Sequence, residues 1–385
     1  MRFGEISAIF MLLIRALSQV SPANCNVVDE NNHDDLVSWI RSMGGFIDPR
    51  QEVRLPYPVI DKDSPANVRG IFATETIKRG DKLLDVPWDD TIIGPELSEP
   101  DAGNPCTSAM SLRHKLSLND SKYGPYVELL KRTARTDLKI PNAWSADGLA
   151  LLDHILGDHL TPTDTRRHLR WWEFHCGQNI YSDRLGAEAA LLQVTRAVEV
   201  EGVSLMVPFY DLYNHRNGEW ENTVVVGDLP GKKFQVFAKR DIEKGEQIYN
   251  SYGTGTDHLF RDYGFVEKSP QLWTFTITDD PRRQVSFWLF IENKENKGQK
   301  NIVIWQTEPS LKAEGDAIHF FQTQHQRLSL VKASFENDMD ELSNIPMDEL
   351  ESIWLYHEAL SNALFAAHED LRESMNKRAA KNKEF

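Results

Sequence analysis

Cysteine is scarce in this chain. Its three cysteines, Cys25, Cys106 and Cys176, stand far apart in 385 residues, with no CxxC pair among them. That spacing argues against a structural zinc cluster and against a disulfide framework. The twelve histidines show no HExxH or similar ligand spacing, so no metal site is expected. Positive charge is also short: 58 acidic against 43 basic residues leave −15. A nucleic-acid binder needs clustered Lys and Arg to displace counterions, so that class is excluded, while a basic protein or peptide remains a compatible partner. No apolar run is long enough to span a bilayer. The run AIFMLLI at residues 8–14 reads either as the core of a targeting segment cleaved near residue 28 or as an amphipathic lead-in. An organelle or secretory location follows from the first reading and a cytoplasmic one from the second. The sequon Asn119-Asp120-Ser121 is permissive and uninformative.

What is present suits a folded protein of two or three domains, since 41% of residues are hydrophobic and 10% aromatic. Residues 32–45, NHDDLVSWIRSMGG, predict a helix with Leu36, Val37 and Ile40 on one face and Gly44 at its stop. Short β-like runs occupy residues 53–100. From about Cys106 to Ala190 the pattern turns helical, strongest in YVELLKR, GLALLDHILGDHL and GAEAALLQVTRAVEV. β character returns over 204–266, then in QLWTFTIT, VSFWLFI and NIVIWQT. Residues 347–380 place Leu350, Ile353, Trp354, Leu360, Leu364, Phe365 and Leu371 at helical spacing.

One internal echo organises the β regions. FATETIKRGDKL, from Phe72, and FAKRDIEKGEQI, from Phe237, superimpose at an offset of 165 residues. Each predicts strand, polar reversal closed by Gly80 or Gly245, strand. Two similar hairpins would thus bracket the helical insertion.

Two stretches carry the candidate chemistry. In MVPFYDLYNHRNGEWENT (residues 206–223), Asp211, Asn214 and His215 cluster beside Tyr210 and Tyr213. In GEQIYNSYG (residues 245–253), Ile248, Asn250 and Tyr252 would share one face of an extended segment, and Gly253 leaves the backbone beside Tyr252 open to a ligand or second chain. Tyr249 falls on the opposite face.

The order RGIFATETIKRGD, VTRAV, VPFYDLYNH, GEQIYNSYG and DYGFV, running from Arg69 to Val266, resembles the SET-domain methyltransferases. It is most similar to the branch that includes the Rubisco large-subunit lysine methyltransferases and the actin-histidine methyltransferase. The resemblance implies an α+β chain: a SET-type β fold over about 29–268, split by a helical insertion at about 104–190, then a mostly helical C-terminal substrate-binding domain over 269–385. It also implies S-adenosylmethionine as methyl donor, with a protein substrate held as an extended peptide by a monomer.

Carried residue by residue, the resemblance makes Tyr252 the catalytic tyrosine, at the mouth of the channel through which the target side chain enters. Arg196 would grip the donor carboxylate. Asn214 and His215 would hold the adenine edge, with Tyr263 and Phe265 packing on it, and Asp211 would brace the strand beside the donor. Asn67, Val68 and Arg69 match the cofactor-contacting loop, with Asn67 and Val68 standing where the family often carries an acidic residue and a second glycine. Val198 and Tyr210 match the acceptor-facing positions. Val198 cannot hydrogen-bond an imidazole, which favours lysine, whereas the bulk of Tyr210 favours a flatter or smaller acceptor. Protein-lysine methylation of a non-histone protein is the expectation. Histidine methylation and a catalytically silent peptide-binding SET fold are the alternatives.

Overall fold

The computed structural model describes residues 32–54, 69–98, 100–118, 122–136, 140–160, 167–177, 183–229, 231–277, 284–294, 298–337 and 342–381. The candidate targeting segment, Cys25, the sequon and the candidate cofactor-loop residues Asn67 and Val68 lie outside them. Helix α1 (Asn32–Ser42) buries Leu36 and Ile40 and ends where Gly44 turns the chain at φ 88°. Strands β1 (Phe46–Ile47), β2 (Gln51–Arg54), β3 (Gly70–Ala73) and β4 (Lys82–Pro87) follow.

The helical insertion comprises α2 (Pro105–Ser117), α3 (Gly124–Thr136), α4 (Ala146–Leu156), α5 (Arg167–Cys176) and α6 (Arg184–Arg196). Side chains of Asn104, Ser145 and Asp183 cap α2, α4 and α6 by accepting backbone N–H groups that have no partner within the helix. The sequence pattern ran the last helix on through Val198–Val200. Those residues instead form strand β5, antiparallel to β6 (Val203–Leu205), because the β-branched valines find a pairing partner across a two-residue turn. Beyond lie β7 (Asn214–His215), β8 (Thr223–Asp228), β9 (Lys233–Ala238), β10 (Gln247–Asn250) and α7 (Thr256–Tyr263).

The two echoed segments are not hairpins. Strands β3 and β4 lie in different sheets, ordered β2-β3-β10-β7 and β1-β4-β9-β8. Each copy gives its first strand to one sheet and its second to the other, pairing both times with the opposite copy: β3 with β10 and β4 with β9. The connecting turns bond to one another symmetrically. Ile77 and Ile242 exchange both backbone hydrogen bonds at 2.9 Å, Gly80 N–H donates to Ala238 at 2.8 Å and Gly245 N–H to Ala73 at 2.7 Å. Both glycines sit at positive φ, 87° and 85°, which a side chain would resist. Lys78 pairs with Asp241 at the rim, but that pair is exposed and adds little. The Ile77–Ile242 contact is fully buried.

Two large apolar clusters form the interior. The first joins α1, the paired sheets, α2, α3 and α6. The second joins Trp144, α4 and Phe260 of α7 to a three-stranded antiparallel sheet, β11 (Gln271–Thr276), β12 (Gln284–Lys294) and β13 (Gly298–Thr307), and to the long helices α8 (Glu314–Asn337) and α9 (Met347–Lys381). The strand and helix patterns read at residues 271–307 and 347–380 fall within these elements. Helix α4 is held at both ends by the C-terminal region. Glu349 accepts from Ser145 N (2.9 Å) and Oγ (2.6 Å), and Arg327 Nη2 donates to the terminal carbonyls of Ile155 (2.7 Å) and Leu156 (2.9 Å). No helix among the described residues is long and apolar enough to cross a membrane.

One expectation from the cysteines is corrected. Cys106 and Cys176 form a disulfide, Cα–Cα 5.5 Å across 70 residues of sequence. It joins the start of α2 to the end of α5, beside the buried Trp172 that packs with Ala109 and Ala190. Linear spacing could not show this, because α2 and α5 are brought together only by packing around α6.

Ile242→Ala should destabilise the protein by about 2–5 kcal/mol, the usual result of emptying a buried isoleucine site, as measured by chemical denaturation. Non-reduced peptide mapping should recover Cys106 and Cys176 as one linked fragment. Cys106→Ser should lower stability by about 2–4 kcal/mol through the freed loop, measured against wild type without reductant.

Candidate active site

The parallel pairing of β7 with β10 sets Tyr249 opposite Asn214 and Asn250 opposite His215. This brings the two candidate stretches side by side. Strand β10 ends at Asn250, so Tyr252 follows the strand and does not extend its face with Ile248 and Asn250. What fixes Tyr252 is the neighbouring stretch: its N–H donates to His215 Nδ1 (2.9 Å) and its hydroxyl donates to the Tyr213 carbonyl (3.2 Å). Gly253 adopts φ 70° with open space where a Cβ would stand. The position demands glycine for its conformation, and the backbone there is also open to approach. Tyr249 turns away, donating to Gln247 Oε1 at 2.8 Å.

Around Tyr252 the aromatic rings close in. Tyr263, the last residue of α7, stacks on it at 4.6 Å between centroids. His215 lies 5.0 Å away, with Phe265 beyond His215 at 6.0 Å. The left-handed Gly264 ends α7 and turns the chain so that Tyr263 and Phe265 face the same site. Burial pushes the Tyr252 hydroxyl up to about 12, against the lowering pull of Arg196 and Arg69. It therefore remains a neutral donor throughout the neutral and mildly alkaline range. Burial likewise raises Tyr263 and Tyr210 above the ordinary tyrosine value.

A charged pair forms the other end of the site. Arg196, at the end of α6, reaches Asp211 Oδ2 at 3.4 Å, and Tyr126 of α3 donates to the same oxygen at 3.2 Å. The Asp211 side chain is fully buried, and desolvation raises its pKa despite Arg196 and Arg69. Its other oxygen, Oδ1, accepts no hydrogen bond. This unmatched acceptor beside a guanidinium with further N–H donors suits a zwitterionic ligand head, ammonium on Asp211 and carboxylate on Arg196. The amino-acid end of S-adenosylmethionine has that chemistry.

Asn214 Nδ2 donates to the Arg69 carbonyl at 2.7 Å, tying β7 to the first described residue of the candidate cofactor loop. Tyr210 is buried, and its hydroxyl accepts from Asn250 Nδ2. It belongs to a short turn entered through Phe209 at φ 69°, a strained value for a buried aromatic residue. Val198, half-buried, stands opposite Leu205 at the start of β5. Sequence reasoning missed Glu267 and Tyr126, which bond to His215 and Asp211, and Asn217, which bonds to Glu267 and Ser251. Glu267 directly follows the DYGFV motif, and its side chain is matched to partners in β7 and α7. Among the described residues no group of three or more His, Cys, Asp or Glu is arranged to hold a metal.

A family model described as "SET domain" matches residues 68–253, the span holding the exchanged strands, Arg196, Asn214-His215 and Tyr252. The chain carries a SET domain. Its fold is also that of solved SET structures. The SET domain of LSMT bound to lysine and AdoHcy superposes with a TM-score of 0.54 at 14% identity, over 91% of this chain and 93% of that one. Rubisco LSMT bound to AdoMet gives 0.51 at 14% identity, over 89% and 93%. An uncharacterized protein of Schizosaccharomyces pombe is 32% identical over 85 residues, and the match spans 20% of this chain and 17% of that relative.

Because Arg196 neutralises a buried carboxylate, its removal has two effects that can be separated. Arg196→Ala should cost about 3 kcal/mol of stability by stranding Asp211, and should weaken S-adenosylmethionine binding. Adding Asp211→Asn should restore most of the stability and none of the donor affinity. Denaturation and calorimetry on the single and double variants check both halves.

Proposed function

We propose that this chain is an S-adenosylmethionine-dependent protein methyltransferase whose acceptor is a lysine side chain of a non-histone protein. The observation that carries the reading is the position of Tyr252, held from three sides. His215 fixes its backbone, Tyr213 its hydroxyl and Tyr263 its ring. Such fixation is what a transfer that depends on alignment requires.

S-adenosylmethionine, when bound, supplies a methyl group on a positive sulfur. Arg196 and Asp211 bind the donor's amino-acid end, with Tyr263 and Phe265 on its adenine side. Arg69 and Asn214 form the edge of the cofactor loop, next to Asn67 and Val68, which lie outside the described residues. The Tyr252 hydroxyl donates to the Tyr213 carbonyl, so its lone pairs are left to accept an N–H from an incoming amine and orient the nitrogen lone pair. A lysine ammonium must first lose a proton, and the aromatic walls favour the neutral amine by desolvation. Val198 offers no partner to an imidazole ring. The solved neighbour bound to lysine and AdoHcy supports the same acceptor.

Tyr210 supports the second reading, a histidine acceptor, because its bulk narrows the acceptor side. Its hydroxyl is already engaged by Asn250. The C-terminal sheet and helices α8 and α9 are assigned the protein substrate, bound as an extended peptide by a monomer. The net charge of −15 suits a basic target segment.

Tyr252→Phe should lower methyl transfer at least about 10²-fold, since only the orienting hydroxyl is lost, while calorimetry finds donor affinity nearly unchanged. Tyr249→Phe, which removes a hydroxyl bonded to Gln247, should transfer at close to the wild-type rate. The assay is label incorporation from S-adenosylmethionine into a cell extract, with mass spectrometry of the labelled protein to identify the modified side chain. Full turnover by the Tyr252 variant would remove the catalytic role of its hydroxyl, whereas no transfer by either wild type or variant would favour a peptide-binding SET fold.

A further inference from the structure

A single buried carboxylate gathers the supports of Tyr252. Glu267 is 4% exposed, and both of its oxygens are filled. Oε2 accepts from Asn217 Nδ2 at 2.7 Å and lies 3.0 Å from His215 Nε2, while Oε1 accepts from Thr256 Oγ1 at 2.8 Å and from Leu272 N at 3.4 Å. Its three side-chain partners lead to the catalytic segment. His215 Nδ1 receives the Tyr252 N–H. Asn217 Oδ1 receives the Ser251 hydroxyl at 3.0 Å, and Ser251 Oγ receives the Gly253 N–H at 3.1 Å. Thr256 opens α7, the helix that ends in the ring stacked on Tyr252.

The two faces of the His215 ring are chemically opposed. A backbone N–H only donates, so Nδ1 must hold a lone pair, and the ring proton therefore sits on Nε2, facing Glu267. In the other tautomer two donors would meet at Tyr252 and two acceptors at Glu267.

We infer that Glu267 is a positioning residue for methyl transfer. It holds His215 as the Nε2–H tautomer and thereby places the backbone of Tyr252, while Asn217 secures Ser251 and Gly253 on either side. The inference rests on the reading of Tyr252 as the group that orients the acceptor. What the role requires is an acceptor atom at the His215 proton, and not the negative charge itself.

Glu267→Gln and Glu267→Asp separate these requirements. Glutamine can keep a carbonyl oxygen toward His215 and Asn217 while its amide donates to the Thr256 hydroxyl, giving up only the long bond from Leu272 N at 3.4 Å. Aspartate keeps the charge, but one methylene shorter it cannot reach His215 and Thr256 together. The full chain, labelled with ¹⁵N-histidine, is measured by NMR for the His215 tautomer, by calorimetry for S-adenosylmethionine affinity, and by label incorporation into a cell extract for rate. Glu267→Gln should retain the Nε2–H signature and transfer within about threefold of wild type. Glu267→Asp should lose that signature and transfer about 10²-fold more slowly, the usual consequence of a misplacement of about 1 Å, with donor affinity nearly unchanged. A Glu267→Asp variant with wild-type rate, or a slow one whose His215 tautomer is unaltered, overturns the inference. So does a Glu267→Gln variant as slow as Glu267→Asp. A wild type that transfers no label overturns the methyl-transfer reading itself, an outcome distinct from a loss confined to the variants.

Discussion

The exchange of strands between the two echoed segments is the constraint on which the site depends. Neither segment closes on itself. Each supplies one strand to each sheet, and the reciprocal hydrogen bonds of Ile77 and Ile242 lock the crossing. Because β10 is fixed against β3 on one side, its other edge is free to pair with β7, and that pairing puts His215 beside Tyr252. The geometry at the candidate catalytic tyrosine is thus set by backbone ladders from residues 70–87 and 233–250. The loops around it fill in the details.

The electrostatics of the site divide into two buried systems. Asp211, Arg196 and Tyr126 form one, in which a carboxylate is desolvated and only partly compensated. An oxygen left without a partner costs free energy in the isolated protein, and a ligand that supplies an ammonium offsets that cost on binding. Glu267 with His215, Asn217 and Thr256 forms the other, in which every oxygen is matched. A fully matched network is rigid. The first system therefore suits a group that comes and goes, and the second suits one that must not move.

Much of this was legible in the sequence, for reasons of range. The periodicities of α1, α4 and α9 depend on residues three and four apart, and the alternation in β11 on residues two apart, so local pattern suffices. Motif order also pointed to Tyr252, His215, Tyr263 and Phe265, whose rings lie together in the structure, and to Asn214, whose side chain bonds to the Arg69 carbonyl. The echo of Phe72-Ala73 in Phe237-Ala238 was visible, but its meaning was not. A strand–turn–strand pattern is the same whether the strands pair with each other or with a partner 165 residues away. Glu267 was hidden because a lone glutamate after a motif looks like any surface glutamate until its partners from β7 and α7 are in view. The disulfide was hidden likewise, since Cys106 and Cys176 meet only through the packing of three helices. Val198 was read as the continuation of a helix because a strand of three residues is too short to show its own period.

Helix α4 has a further consequence. It is encoded within the insertion, yet its apolar face belongs to the second core, and Glu349 and Arg327 cap its two ends. The insertion is therefore not a removable module. Exchanging it for the insertion of a relative would open a hole in the C-terminal half as well as changing the wall of the site, unless α8 and α9 were exchanged with it. The helices before and after the paired strands would then have to change together, although their bonded partners lie 171 to 204 residues apart in sequence.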